Sequence, residues 1–317
     1  MSKSDTQVRS RVQMLEVSSD QDGQRIDNFL IRVLKGAPKS LIYRIIRKGE
    51  VRVNKGRIKT NHRLKQGDKV RVPPVRLEVP GEKRPLPDSL TELIRNSILF
   101  EDDDCLVVNK PSGLAVHGGS GIKFGLLDVV HSIRPELQYL ELVHRLDRET
   151  SGCIILAKNR KTLIFLHEQL KNGEVTKKYL TGLAGNWKGG KKTVTAPLLK
   201  NVMQGGERIV EVNAQGKAAV SHFSLIQQYR DLSLMEVELG TGRTHQIRVH
   251  ARHAGHPVAG DKKYGDKNYN SWIRGYGLKR LFLHAHLLEF KLPGQTDCLQ
   301  VSTPLSSELQ EVLNRLE

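Results

Sequence analysis

The stretch His144-Arg145-Leu146-Asp147-Arg148-Glu149-Thr150-Ser151-Gly152 is the most informative in this chain of 317 residues. It is polar, and it runs directly into the apolar run Cys153-Ile154-Ile155-Leu156-Ala157. A short apolar run bounded by polar residues reads as a strand. Asp147 therefore stands between two arginines on a loop anchored by a strand. Nearby fixed cations hold a carboxylate ionised and push its pKa down. An ionised carboxylate on a rigidly supported loop can serve as a nucleophile or a base. The same arrangement also makes an ordinary structural ion pair, and these residues alone do not separate the two readings.

On either side, the pattern is one of strands in runs. Cys105 to Asn109 reads as an apolar strand entering the turn Lys110-Pro111-Ser112-Gly113. Tyr179 to Leu183, His222 to Ile226 and Ser233 to Leu239 read as further strands. Asn159 is a candidate cap for one helix and Thr244 for another that ends at Gly255. Lys188 to Arg208 is poorly patterned and reads as loop-rich. Strands in runs with few helices between them predict an α+β domain on a largely antiparallel sheet. Gly118-Gly119-Ser120-Gly121 lacks the Lys-Ser/Thr of a phosphate loop. No spacing of His, Cys or carboxylates matches a metal site, and the three cysteines are scattered. No cofactor is expected.

Charge divides the chain. The net charge is +17, from 51 Lys and Arg against 34 Asp and Glu. Residues 21–80 carry +11 of it, residues 81–317 carry +6, and residues 1–20 are neutral. An imbalance this local points to a module that binds a polyanion. No run approaches the roughly 18 apolar residues of a membrane span. Met1 to Ser10 has no apolar core of a secretion signal, and the protein is expected in the cytoplasm, away from membranes.

Inside the basic segment, Ile26, Phe29, Leu30, Val33 and Leu34 recur at helical spacing. Gly36 ends that helix, and Pro38 opens the next. Leu41, Ile42, Ile45 and Ile46 form the second apolar stripe, and Gly49 closes it. Val51-Arg52-Val53 reads as a strand, Asn54-Lys55-Gly56 as a turn, and Lys69 to Val72 as a last strand. The prolines between Glu78 and Asp88 read as a linker.

This segment resembles the S4 RNA-binding domain, through Arg25-Ile26-Asp27, Ile45 to Gly49, Val51 to Asn54 and Leu64 to Asp68. The resemblance implies that Lys39, Arg44, Arg47, Lys48, Arg52, Lys55 and Arg57 contact phosphate. Such contacts position a protein without reading sequence.

The loop around Asp147 resembles the aspartate motif of the RNA pseudouridine synthases of the large-ribosomal-RNA class. Asn109 to Gly113, Lys177 to Leu180 and Thr241 to His250 resemble the family's other motifs, in the same order. Gly255-His256-Pro257 and Arg280 to Ala285 follow as they do there. Ala115 to Gly121, Leu142 to His144 and Ala196 to Asn201 resemble one bacterial branch of that class. The implied organisation is a tail over 1–20, an S4 domain over 21–78, a linker over 79–92 and a catalytic domain over 93–317. The catalytic domain would carry a largely antiparallel, mixed sheet flanked by helices and loops.

The family converts uridine in RNA to pseudouridine, an isomerisation that needs no cofactor. By resemblance, Asp147 is the essential carboxylate, attacking C1′ or taking the 2′ proton. Arg248 would pair with it. Tyr179 would stack under the flipped uracil, Leu283 would pack beside it, and Arg145 would fill the gap in the RNA stack. His117, His245 and His250 would be structural or touch RNA, and Thr244 and Gln246 would brace the Arg248 helix. The expected partner is large-subunit ribosomal RNA, free or in an assembling particle, and the expected state is a monomer. The alternatives are an S4 assembly factor with a degenerate synthase domain, a nucleic-acid glycosylase, and a synthase acting on transfer RNA or another ribosomal site.

Overall fold

The structure, a computed structural model, describes residues 6–8, 11–34, 37–78, 86–118, 124–204 and 207–317. The expected helix end at Gly36, most of the proline linker and the run after Gly118 lie outside these residues. The chain forms two compact units that divide between Pro85 and Leu86.

The first unit contains β1 (Thr6–Val8), β2 (Gln13–Glu16), α1 (Ile26–Val33), α2 (Lys39–Arg47), β3 (Arg52–Val53), β4 (Gly56–Arg57), β5 (Lys69–Val72) and β6 (Arg76–Glu78). A four-stranded sheet runs β2-β5-β3-β4, and β1 pairs with β6. The two predicted apolar stripes meet over it. Ile26, Phe29 and Leu30 of α1 and Ile42, Ile45 and Ile46 of α2 are buried with Val51, Val53, Leu64, Val70 and Val72. The tail expected up to residue 20 instead supplies β2, which pairs Leu15 with Val70. Four residues of an edge strand give too short an alternation to be read from sequence.

Val53 pairs with Gly56, so Asn54 and Lys55 form a two-residue turn with φ of 48° and 67°. Both values are those of the turn that matches strand twist in tight hairpins. Asn54 Nδ2 donates to Asp68 Oδ1 at 2.8 Å, and Lys69 N donates to Asn54 Oδ1 at 2.9 Å. These bonds fix the basic turn against β5.

The second unit contains α3 (Asp88–Arg95), β7 (Ile98–Glu101), β8 (Cys105–Lys110), α4 (Leu126–Ile133), β9 (Glu141–Leu142), β10 (Ser151–Ala157), α5 (Arg160–Asn172) and β11 (Thr176–Ala184). It continues with β12 (Lys191–Thr195), β13 (Leu198–Gln204), β14 (Glu207–Val212), β15 (Val220–Tyr229), β16 (Leu232–Leu239), α6 (Gln246–His253), α7 (Lys267–Arg274), β17 (Leu283–Lys291), β18 (Cys298–Ser302) and α8 (Ser307–Asn314). The ten-stranded sheet runs β12-β15-β16-β11-β17-β10-β8-β7, with β18 beside β17 and β9 beside β10. Its β10–β17 pairing is parallel, and its other strand pairings are antiparallel.

The parallel pair sets the site. Ser151 lies beside His284 and Gly152 beside Ala285, so both strands begin at the same end of the sheet. Gly152 has φ of 109°, and a Cβ on it would lie 2.2 Å from the Ala285 carbonyl oxygen. Glycine is required for that approach. Central strands are buried on both faces. Leu106, Val108, Ile154 and Leu156 enter one core, while Cys105, Val107, Cys153 and Ile155 enter the other.

Three further expectations change. The linker stops short of residue 92, because α3 starts directly after Pro87 and buries Ile94. The stretch expected to be loop-rich forms β12, β13 and the start of β14. Helix α6 is capped by His245, one residue later than Thr244, with φ of 54°.

Candidate active site

The loop 144–150 is held at three levels. Leu146 is buried in the core. Ile155 N donates to His144 Nε2 at 3.2 Å, and Thr150 N donates to the Asp147 carbonyl at 3.1 Å. The turn after β8 then grips the loop from outside. Gly113 N donates to the Arg148 carbonyl at 2.8 Å, Arg148 Nε returns a bond to the Gly113 carbonyl, and Ser112 Oγ donates to the Glu149 carbonyl. Gly113 has φ of 84°, the conformation such a turn requires.

Lys110 completes this support, and the sequence assigned it no role. Its side chain is fully buried. Nζ donates to the carbonyls of Pro111, Leu114 and Arg148 at 2.9, 2.8 and 3.1 Å. Burial, with the nearby charge of Arg280, pulls the ammonium down to about 7. Three acceptors use three N–H groups, and a neutral amine has only two.

Asp147 faces a cleft lined also by Arg145, Tyr179, Arg243, His245, Arg248 and Leu283. Tyr179 comes from β11, Leu283 from the start of β17, and Arg248 from α6. Arg145 is exposed at the rim, as is Arg243. The structure thus brings Asp147, Tyr179, Arg248, Arg145 and Leu283 into one cleft.

Arg248 Nη1 lies 3.3 Å from Asp147 Oδ2. The other edge of the guanidinium is occupied. Nε and Nη2 donate to the two carboxylate oxygens of Asp261 at 2.7 and 2.8 Å, and the guanidinium sits 4.9 Å from the Tyr264 ring centre. Asp261 is itself buried and accepts from Lys263 N and Tyr264 N. Burial pushes the Asp261 carboxyl up, but the Arg248 bonds and charge and the two backbone donors outweigh it, so its pKa falls below the ordinary value. A bidentate pair of this kind fixes the arginine in orientation as well as charge.

Tyr179 is buried, and its hydroxyl pKa is pushed up by burial and then by the charge of Asp147. It is a phenol at neutral pH. Gln246 braces α6 as expected, accepting from Thr241 Oγ1 and Arg243 N and donating to the Val220 carbonyl and Ser221 Oγ. His250 is structural, bonded to Ser221 Oγ and the Ala196 carbonyl. His245 lies closer to Asp147 than its sequence position suggests. Its Nε2 lies 3.7 Å from Asp147 Oδ2, inside the cleft.

In the first unit, Lys39, Arg44, Arg47, Lys48, Lys55 and Arg57 are exposed and Arg52 is partly so. They lie on α2 and the β3–β4 hairpin. Arg57 folds back over Gly49, at the end of α2, where a Cβ would lie 2.7 Å from its Nε.

No group of three or more metal-binding side chains occurs among the described residues. No described helix is long and apolar enough to cross a membrane.

Comparison with known proteins shows the family of the chain. A family described as RNA pseudouridylate synthase matches residues 104–253, and the S4 domain matches residues 24–70. Ribosomal large subunit pseudouridine synthase C of Pasteurella multocida is 50% identical over 316 residues, 99% of this chain and 97% of its own. The protein of the same name from Escherichia coli K12 is 48% identical over 308 residues, 96% of this chain and 97% of its own. Among solved structures, human RNA pseudouridylate synthase domain containing 4 has a TM-score of 0.60 at 27% identity, covering 72% of this chain and 95% of its own. The resemblance first carried by the loop around Asp147 therefore extends over nearly the whole chain, which belongs to the RNA pseudouridine synthase family and carries an S4 domain ahead of the catalytic unit.

Proposed function

We propose that this protein isomerises uridine to pseudouridine in large-subunit ribosomal RNA, with Asp147 as the reacting carboxylate and no cofactor. The observation that carries the reading is the placement of Asp147. It lies in a cleft beside a phenol and an apolar side chain, with a buried arginine on one oxygen only. The near-full-length likeness to the large-subunit enzymes supports the choice of RNA.

Arg248 orients Asp147 through its contact with Oδ2. The carboxylate then attacks C1′, as in a retaining glycosidase, or removes the 2′ proton. The N1–C1′ bond breaks, the uracil turns within the cleft, and C5 bonds to C1′, which frees the Asp147 carboxylate from C1′ or takes the 2′ proton back from it. The C5 proton then passes to water and N1 takes up a proton, so no atoms are gained or lost overall. Tyr179 and Leu283 pack against the flipped base. Tyr179 keeps its own proton, because its surroundings oppose the phenolate. Arg145 occupies the place vacated by the nucleotide and offsets part of the few kcal/mol of unstacking. The exposed cations of α2 and the β3–β4 hairpin hold phosphates. The protein works as a cytoplasmic monomer.

The test uses a large-subunit ribosomal RNA transcript carrying tritium at uridine C5. The wild-type chain releases tritium and leaves pseudouridine. Asp147→Asn abolishes release while RNA binding persists. Turnover by that variant would overturn the role of Asp147, and free uracil among the products would favour a glycosylase.

A further inference from the structure

Asp147 has a second neighbour besides Arg248. His245 precedes α6 in a left-handed conformation, φ 54° and ψ 20°. Such a backbone is uncommon for a residue with a side chain and persists where the surroundings enforce it. It places the imidazole between two groups. Nδ1 lies 2.7 Å from the Tyr264 hydroxyl, and Nε2 lies 3.7 Å from Asp147 Oδ2.

The hydroxyl contact favours one of the two imidazole tautomers. Val210 N donates to the Tyr264 oxygen at 3.0 Å. Among the described residues the hydroxyl proton meets no acceptor other than His245, which favours Tyr264 as the donor to Nδ1. A neutral imidazole that accepts at Nδ1 carries its hydrogen on Nε2, the nitrogen facing Asp147.

The charge around the carboxylate makes this contact matter. Arg248 gives two bonds to Asp261 and one to Asp147, so a single cation serves two carboxylates. Asp147 therefore shares its counter-ion. Both of its contacts, from Arg248 and His245, fall on Oδ2. Oδ1 is left with its lone pairs open among the described residues.

We propose that His245 is a positioning residue for Asp147: oriented by Tyr264, it presents Nε2–H to Oδ2 and leaves Oδ1 to act on the ribose. This rests on the reading of Asp147 as the reacting carboxylate. The contact at 3.7 Å closes when RNA fills the cleft, as bonds in unliganded active sites often do. Burial lowers the imidazole pKa, Asp147 and Asp261 raise it, and Arg248 and Lys263 lower it, with a net fall that keeps the ring neutral at pH 7.

The experiment compares single-turnover tritium release by the full chain and its variants on the same transcript. Asn accepts the left-handed backbone but is too short to reach Asp147. His245→Asn slows the reaction about 10- to 100-fold, the loss of one bond to a charged group, with RNA affinity unchanged. Gln restores a donor of similar reach, and His245→Gln recovers most of the rate. Tyr264→Phe is slower than wild type, and adding it to His245→Asn costs nothing more, because Tyr264 acts through His245. Nitrogen-15 NMR of the histidine-labelled chain finds the His245 proton on Nε2. Thermal melting checks each variant, and if His245→Asn does not fold, the tautomer in the wild-type chain decides. A wild-type rate in His245→Asn, equal losses in the Asn and Gln variants, or a proton on Nδ1 overturns the proposal. If the wild-type chain makes no pseudouridine, or Asp147→Asn still turns over, the underlying reading fails instead.

Discussion

Lys110 holds Arg148 by its backbone: the buried ammonium donates to the Arg148 carbonyl at 3.1 Å, one residue beyond Asp147. The same nitrogen binds the Pro111 and Leu114 carbonyls, so one side chain joins the end of β8 to the loop that carries Asp147. The position of Asp147 is thus set by packing and hydrogen bonds beneath it, independently of the ion pair above it.

Lys110→Met keeps the volume and removes the three bonds. The Arg148 carbonyl keeps its bond from Gly113 N, so the Pro111 and Leu114 carbonyls are the two that lose their partner, at about 1–3 kcal/mol each, partly offset by the relief of a buried charge. We expect a net loss of about 2–4 kcal/mol and a fall in Tm of about 5–10 °C for a unit of this size. Tritium release should fall by at least tenfold while RNA affinity stays within twofold. A melting temperature and rate equal to wild type would show that the loop is held without Lys110.

Asp261 gives a pH signature. Its folded pKa lies below the ordinary carboxylate value, through Arg248 and two backbone donors working against burial. A carboxyl with a lowered folded pKa adds stability above its unfolded value, near 4, and loses it as pH falls through the folded value. Asp261→Asn removes the charge from a buried pair and should cost about 3–5 kcal/mol at pH 7. That cost should shrink as pH falls from 5 towards 2. Urea titration followed by tryptophan fluorescence reads the catalytic unit alone, since both tryptophans, Trp187 and Trp272, lie in it. A cost that does not change with pH would refute the charge pairing.

The sequence made the Asp147 loop, Tyr179, Arg248 and the basic S4 segment legible, because each lies in a motif or a strong local pattern. It hid what depends on contacts across the fold. Lys110 reads as part of a turn until Arg148 is placed above it. Asp261 lies thirteen residues beyond Arg248 and gives no local sign of binding it. β12 escaped because only Val194 of its five residues is buried, so the period-two alternation has a single member. Helix α3 was masked by the prolines just before it, although Pro87 ends the proline run and caps the helix.

The position of α3 also fixes where the two units can be separated. Leu86 and Leu90 pack against the core of the catalytic unit beside buried Ile94. A cut after residue 90 would strip that packing, whereas removal of residues 1–85 follows the division between the units. The shortened chain should keep a cooperative melting transition and its tryptophan signal. It loses the seven cations proposed to bind phosphate, Lys39, Arg44, Arg47, Lys48, Arg52, Lys55 and Arg57. Each phosphate neutralised on single-stranded RNA contributes about 0.7 to the slope of log affinity against log salt. The slope should therefore flatten by as much as about 5, and affinity at low salt should fall by more than tenfold. Fluorescence anisotropy with a labelled ribosomal RNA fragment between 50 and about 300 mM salt measures both. An unchanged slope would place the RNA-holding charge in the catalytic unit, leaving the S4 unit without the role its +11 suggests.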